Sequence, residues 1–522
     1  MLQTKKADFK QIGARFRIDP VTARIIRNRG IEGEAAIDRY LNGTLDDLYD
    51  PMLLKDMERA VSILCEAVDT GKKIRIVGDY DIDGVCSTYI LLQAFERLGS
   101  DVDFEIPDRI KDGYGINESI IEQAHADGVE VILTCDNGIS AFHQVELAKK
   151  YGMTVVITDH HEVPLDGEKE KIPPADAVID PKQADCPYPF PEICGAVVAY
   201  KLVQVLYARR GVPQMEWLDL LEFAAIATVG DVMKLQDENR ILVKYGLKKM
   251  AQTKNLGLRR LAEKNNLDLG AITAYHIGFV IGPCLNAGGR LKTAKEALAL
   301  LRAQSEEEAE RLAEELKELN YPRKDMTEQG TEAAKLQVES WYQKDKVLVV
   351  FLPECHESLA GIIAGRLREY YQKPAIVLTR GEEAVKGSGR SIDEYHMFKK
   401  LTEVSDLLLK FGGHPLAAGL SLEEKNIDEF RRRLNENAGL TEEDFKAKVW
   451  IDVPMPVGYV TERLVRELSC LEPFGQGNEK PLFAEKSLRI RASRVLGRNR
   501  NVVKMTLEET DGHAIEALYF GD

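Results

Sequence analysis

Three aspartates alternate in GDYDIDG, residues 78–84: Asp79, Asp81 and Asp83, with Gly84 after them. In extended backbone alternate residues point the same way, so the three carboxylates would crowd one spot. Like charges that close are costly unless a cation sits among them. TCDNG adds Asp136, TDHH adds Asp159, His160 and His161, and IATVGD adds Asp231. Two of the chain's nine histidines therefore stand side by side. Carboxylate and imidazole without thiolate form a mixed donor set that suits Mn²⁺ or Mg²⁺ better than structural Zn²⁺. There are enough donors for two ions sharing a bridging carboxylate, an arrangement that activates water and stabilises the leaving oxygen in phosphoryl chemistry. An EF-hand needs a Glu at its twelfth position; counted from Asp79, that position is Ile90. No Walker-A sequence and no G-x-S-x-G elbow occurs, which favours phosphoester hydrolysis over transfer from a nucleotide. Singly, Asp136 fits a common Asp-Asn-Gly turn and Asp231 a helix end. The set carries the chemistry.

Most of these groups close a short β-rich run. The runs are KIRIVGD (73–79), DVDFEIPD (101–108), VEVILTCDNG (129–138), MTVVITDHH (153–161) and DAVIDP (176–181). GVCSTYILLQAFERLG and GISAFHQVELAKKYG lie between, with helical apolar spacing. Strands alternating with helices imply a mostly parallel sheet covered on both faces. Ligands of such sheets bind beyond the carboxyl ends of the strands, where the Asp and His residues fall. Residues 194–300 read as mostly helical, and 304–345 as a helical connector. Ser305 with Glu308 fits a capping box, Ala309, Leu312, Leu316 and Leu319 form a narrow apolar stripe, and Pro322 is expected to kink or end the helix. A second α/β unit starts at KVLVVFLPE (346–354), and a tail of short alternating strands fits a small β barrel. The expected divisions are an N-terminal helical segment (1–50), a parallel-sheet domain (51–240), a helical region and connector (241–345), a smaller α/β domain (346–448) and an OB-like domain (449–522).

At 522 residues the chain exceeds one core, and three to four domains of about 150 residues are expected. Eight scattered cysteines without a CxxC pair argue against a disulfide or zinc framework. The first residues lack an apolar h-region, no apolar run approaches a membrane span, and the cytoplasm is the expected compartment. The net charge of −15 weighs against nonspecific duplex binding. Against it stands a local track: residues 486–504 hold Lys486, Arg489, Arg491, Arg494, Arg498, Arg500 and Lys504 with no acid among them, which on a small barrel suits a single strand of nucleic acid.

GDYDIDG, TCDNG, TDHH and ATVGD, in that order, resemble the DHH phosphoesterase superfamily, and GGHPLAAG (412–419) is similar to the GGH motif of its associated C-terminal domain. PDRIKDGYGIN (107–117), GFVIGPCLNAGGRL (278–291), CHESLAGIIAGRLREYYQKPAIVL (355–378) and LEPFGQGNEKP are similar to the bacterial exonucleases of that superfamily that act on single-stranded DNA. The resemblance covers about residues 20–522. It implies an α/β chain with a DHH domain, a connector, a DHH-associated domain and an OB-like barrel. It also implies a 5′→3′ exonuclease of repair and recombination that degrades single-stranded DNA to 5′-mononucleotides with two Mn²⁺ or Mg²⁺ ions. The ligands would be Asp81, Asp83, Asp136, His160 and Asp231, with Asp136 as bridge and Asp79 as ligand or supporting group. His161 would contact the phosphate, with Asp159 orienting an imidazole. Arg109, Ser388 and Arg390 would grip a 5′-phosphate and Arg290 a backbone phosphate. His356, Gly412, Gly413 and His414 would line a groove between the two α/β units. Two positions depart from the family: Cys284, where an Arg is frequent, and Cys355, which gives CHES in place of WH-x-G. The implied partners are single-stranded DNA with a 5′ end, a helicase and a single-strand-binding protein, with no membrane, for a monomeric enzyme. Alternatives are a DHH enzyme of short oligonucleotides or cyclic dinucleotides, and a DHH fold that has lost catalysis and only binds.

Overall fold

The alternating β-rich and helical runs assemble, in the computed structural model, into a five-stranded sheet that is parallel throughout. The structure describes residues 1–3, 5–108, 115–167, 169–291, 293–381, 384–497 and 500–521, without the side chains of residues 290 and 291. The strands are β1 (Ile74–Val77), β2 (Val102–Glu105), β3 (Val131–Cys135), β4 (Thr154–Thr158) and β5 (Ala177–Ile179), in the order β2-β1-β3-β4-β5. β1, β3 and β5 are wholly buried, which is why they read as mostly apolar runs; the exception in β1, Arg75, is ion-paired to Asp103 and Asp127. Register decides the rest. Val77 pairs with Thr134, and Cys135 with Thr158, so Asp79, Asp136 and Asp159 leave the sheet at one level.

Helix Ile82–Arg97 follows β1 and is buried on almost all sides, packed against helices Gly195–Arg210 and Leu221–Gly230. Its start is set by Asp81, whose carboxylate accepts the N–H groups of Asp83 (2.9 Å) and Gly84 (3.1 Å). Gly84 admits no side chain, because a Cβ would stand 2.3 Å from the Asp79 carbonyl oxygen.

The chain gathers into two compact units, Met1–Gly289 with Thr293–Ala313 and Val449–Asp522, and Arg290–Lys292 with Glu314–Lys448. In the first, the N-terminal helices pack on the tail: Ile25, Ile26, Ile37 and Tyr40 share a core with Val453, Met455, Leu464 and Leu471. The buried Arg240 guanidinium joins these parts, donating to the carbonyls of Tyr40 (3.0 Å), Leu471 (2.8 Å) and Cys470 (2.8 Å). Helix Glu306–Gln337 leads from the first unit into the second. Glu308 donates its N–H to the Ser305 hydroxyl, yet its carboxylate reaches the N–H of Gln304, one residue beyond the expected box. Pro322 does not end this helix. A proline deletes one backbone bond, a cost of about 3 kcal/mol that a long helix with intact turns on both sides absorbs.

The second unit carries β6 (Leu348–Phe351), β7 (Ala375–Arg380), β8 (Val385–Arg390), β9 (Leu408–Gly413) and β10 (Ala417–Leu422), in the order β9-β10-β8-β7-β6. Only β6 and β7 run parallel. In the tail, β11 (Arg489–Leu496), β12 (Val502–Glu508) and β13 (Ala514–Phe520) form an antiparallel meander, with a short parallel pair between Val453–Pro454 and Phe483–Ala484. All eight cysteines are free. Among the described residues no helix is long and apolar enough to cross a membrane.

Candidate metal centre

The carboxyl ends of β1, β3 and β4 bring the expected cluster together within the first unit. Asp136 sits just past β3 with φ 60°, a left-handed conformation that turns the chain sharply. Asn137 fixes that turn: its amide donates to the carbonyls of Val77 (3.0 Å) and Cys135 (2.9 Å), and its oxygen accepts from Ile116 N–H (3.2 Å). Helix Gly195–Arg210 then presses in, and a Cβ on Gly195 would stand 2.7 Å from that of Asp136. The first turn of that helix donates to Asp83, Gly195 N–H to one oxygen and Ala196 N–H to the other, at 2.7 Å each.

His160 Nε2 faces three carboxylates: Asp136 at 3.0 Å, Asp83 at 3.4 Å and Asp231 at 3.8 Å. Asp231 follows helix Leu221–Gly230, the expected helix end. His161 Nδ1 lies 2.8 Å from Asp159 and 4.0 Å from Asp136. One Asp159 oxygen serves the N–H groups of His160 (2.7 Å) and His161 (3.2 Å) as well as that ring, while the other accepts Ile139 N–H (2.9 Å). Three sets in this cluster have donor atoms close enough to share an ion: Asp79, Asp81 and Asp136; Asp83, His160 and Asp231; and Asp136, His160 and His161; a fourth, Glu509, Asp511 and His513, lies apart in the tail. Asp136 belongs to two of them.

These residues fit divalent cations. One imidazole nitrogen cannot satisfy three carboxylates with a single proton, and the remaining negative charge is buried. The strain appears in the titration of the metal-free cluster. Burial, then repulsion from Asp81, pushes Asp79 well above the carboxylate range. Burial, then Asp83, raises Asp81 and Asp136, the latter strongly. Asp231 is pushed up to about 8 by burial and Asp83. Burial pulls His161 down, but the Asp159 hydrogen bond and charge outweigh it and leave it at about 9. Burial lowers His160.

A pH effect follows. Raised folded-state values mean the native protein holds more protons than the unfolded chain, so metal-free stability falls as pH rises. Between 6.5, where unfolded histidine is already half deprotonated, and about 8 for Asp231, the raised groups dominate. A bound cation opposes that loss. The shift in melting temperature on adding Mn²⁺ should therefore be larger at pH 8 than at pH 6.5, as thermal unfolding with and without metal would show. An equal shift at both pH values would contradict it.

The second unit assembles a different set. Arg390 donates to the Ser388 hydroxyl (3.1 Å), and a Cβ on Gly361, at the start of helix Ala360–Tyr371, would lie 2.9 Å from both side chains. Ser388 pairs with Gly419, and Gly419 with Gly412, so two glycines lie in a row on one side of Ser388; a Cβ on either would meet nothing within 4 Å. Gly413 has φ 149°, and His414 donates its N–H to Ala417 (2.7 Å). His356 Nδ1 lies 2.7 Å from the Ser358 hydroxyl.

In the tail, Arg489 and Arg494 are five residues apart, an odd spacing that would part them in a regular strand. A bulge at Arg491 shifts the register and returns both to one face, where Arg494 pairs with Lys504. Arg491 lies 3.6 Å from Glu508, and Arg500 is exposed. Cys284 is buried and so presents no group to a phosphate; Cys355 is half-buried. Arg109, Arg498 and the Arg290 side chain lie outside the described residues.

Sequence reasoning missed the bracing residues Asn137 and Gly195, whose signal was only proximity to named acids. It also passed over Asp180 at the end of β5, buried and pushed up to about 7 by burial and Asp159.

Family models match for the DHH family N-terminal domain (residues 73–228), the DHHA1 domain (344–439) and the RecJ OB domain (451–522). The single-stranded-DNA-specific exonuclease RecJ of Bacillus subtilis is 37% identical over 502 residues, which span 95% of this chain but 62% of that protein. The Haemophilus influenzae RecJ is 34% identical over 522 residues, 96% of this chain and 89% of its own. The crystal structure of Thermus thermophilus RecJ in complex with Mn²⁺ superposes with a TM-score of 0.83 at 28% identity, covering 100% of this chain and 78% of that one.

Proposed function

The chain belongs to the family of RecJ single-stranded-DNA-specific exonucleases, and from that premise we propose that it hydrolyses single-stranded DNA from its 5′ end to 5′-mononucleotides. The observation that supports this reading is the pair of donor groups sharing Asp136 at the strand ends. Asp79, Asp81 and Asp136 would hold one Mn²⁺ or Mg²⁺, and Asp83, His160 and Asp231 with Asp136 would hold the other. When bound, such ions make a water acidic enough to attack and neutralise charge on the phosphate oxygens. The chain's own groups do the rest. Asp159 holds His161 by Nδ1, so the ring presents its other nitrogen as a proton donor to the scissile phosphate. Gly195 and Ala196 hold Asp83 at both oxygens, which sets its direction.

Arg109, Ser388 and Arg390 grip the terminal 5′-phosphate, whose extra charge an Arg and a hydroxyl favour. Arg290, His356, Gly412, Gly413 and His414 contact the strand, and Arg489, Arg491, Arg494, Arg498 and Arg500 track it further along. Arg390→Ala should reduce the preference for 5′-phosphorylated over 5′-hydroxyl strands by roughly tenfold, from a charged hydrogen bond of about 1.5–3 kcal/mol. Initial rates on the two strands check this, and an unchanged ratio would remove Arg390 from the grip. The enzyme acts in the cytoplasm as a monomer, in repair and recombination, beside a helicase and a single-strand-binding protein; this part rests on family analogy. The deciding experiment follows 5′- and 3′-labelled single strands with and without Mn²⁺. Loss of the 3′ label first, metal-free release, or preference for a dinucleotide over a long 5′-phosphorylated strand would overturn the reading.

A further inference from the structure

Beside Asp231 the first unit holds a cleft of about 1020 Å³. Gly230 and Val232, the two neighbours of Asp231, line it. So do Tyr275 and Phe279, which are 63% and 66% exposed. Their rings stack with centroids 4.7 Å apart and planes 25° from parallel. Two large rings left in water contribute little to the core, so stability does not explain them. The backbone that carries Phe279 is also unusual: Ile277–Ile281 is a π turn, a form that concentrates at functional sites. Lys244, Lys248 and Lys480 line the same cleft, with Glu472 and Glu479. Glu479 already accepts Gly477 N–H (2.9 Å) and lies 4.0 Å from Arg29, which leaves three lysines against the exposed Glu472.

We propose that this cleft seats bases of the single strand adjoining the scissile phosphate, with Tyr275 and Phe279 as the stacking platform and Lys244, Lys248 and Lys480 meeting the backbone. The inference rests on the nuclease reading above and adds a site to it. A strand whose phosphate sits at Asp231 has this cleft one residue away. Every base has a π face, so such a platform accepts any sequence, as an exonuclease that processes a strand stepwise requires. The volume admits more than one nucleotide.

The test uses the full chain with Asp136→Asn, which binds without degrading, in the presence of Mn²⁺. Single-stranded oligonucleotides carry one 2-aminopurine, stepped along the strand. We expect quenching on binding at one or two adjacent positions, lost with Tyr275→Ala and Phe279→Ala together. Affinity should fall roughly tenfold or more for each ring removed, more steeply than for loss of a surface apolar contact. Tyr275→Trp should keep the quenching, whereas Phe279→Leu, which keeps apolar area but no π face, should lose its share. If the double alanine variant binds with the same affinity and the same fluorescence profile, the cleft is not the base site, while the nuclease reading stands. If the parent chain neither binds nor degrades single strands, both fall together. Both rings are exposed, so the substitutions are not expected to disturb folding.

Discussion

Asparagine in place of Asp136 should leave a folded protein whose nucleotide release falls by roughly 10³-fold or more, since both ion groups lose a shared charge. Asparagine is the informative choice. It tolerates the left-handed backbone at this position, where alanine would add strain, and it keeps the shape that meets Gly195. The same substitution removes a carboxyl that burial, then Asp83, Asp81, Asp79 and Asp231, push well above the usual carboxylate range, so that ionising it is costly. The metal-free variant should therefore melt higher than the parent, while its Mn²⁺-induced shift shrinks. Activity and melting thus move in opposite directions, a pattern that general misfolding cannot produce. Release from a 5′-labelled strand, with thermal unfolding in parallel, measures both. Near-full turnover in Asp136→Asn would remove the shared-carboxylate assignment.

The second large effect is structural. Arg240→Met should strand three buried carbonyls, those of Tyr40, Cys470 and Leu471, at a cost on the order of 3–5 kcal/mol. The guanidinium also lies 3.9 Å from the Tyr40 ring centroid, so stacking is lost too. Arg240→Lys should rescue little, because one ammonium cannot fork to three acceptors. The loss should be local at first: faster proteolysis and amide exchange in residues 449–484 and in the N-terminal helices, and weaker single-strand binding. Unchanged protection there would show that the apolar core of Ile25, Ile26, Val453 and Leu471 suffices alone.

The chemistry of the centre was legible because its residues close strands. Parallel strands with level register bring their carboxyl ends to one place, so a motif at each end of a run is a motif at one point in space. Asp79, Asp136 and His160 needed no more than that. What sequence could not give was the bracing. Asp83 takes its direction from a helix that begins 112 residues later, and Asn137 ties two strands to Ile116. Neither contact has a local pattern. The arginine spacing in β11 misleads for a related reason: a bulge moves side chains between faces without leaving a mark in composition. Pro322 shows the converse, a strong local signal overruled by a helix long enough to carry it.

The first unit is discontinuous in the chain: residues 314–448 form most of the second unit, and the tail then returns to the helices that began the protein. On a ribosome this has an order. The cluster from Asp79 to Asp231 emerges early, and residues 314–448 emerge as one uninterrupted stretch able to collapse by itself. Arg240, however, waits for Cys470 and Leu471, 230 and 231 residues later, and the first helices wait longer, with 431 residues between Tyr40 and Leu471. At typical elongation rates that is on the order of tens of seconds with Ile25, Ile26 and Ile37 uncovered. Nascent chains of this protein should therefore be most dependent on chaperones between those two points, and a stall before residue 449 should leave a complete set of ligands on an unclosed body.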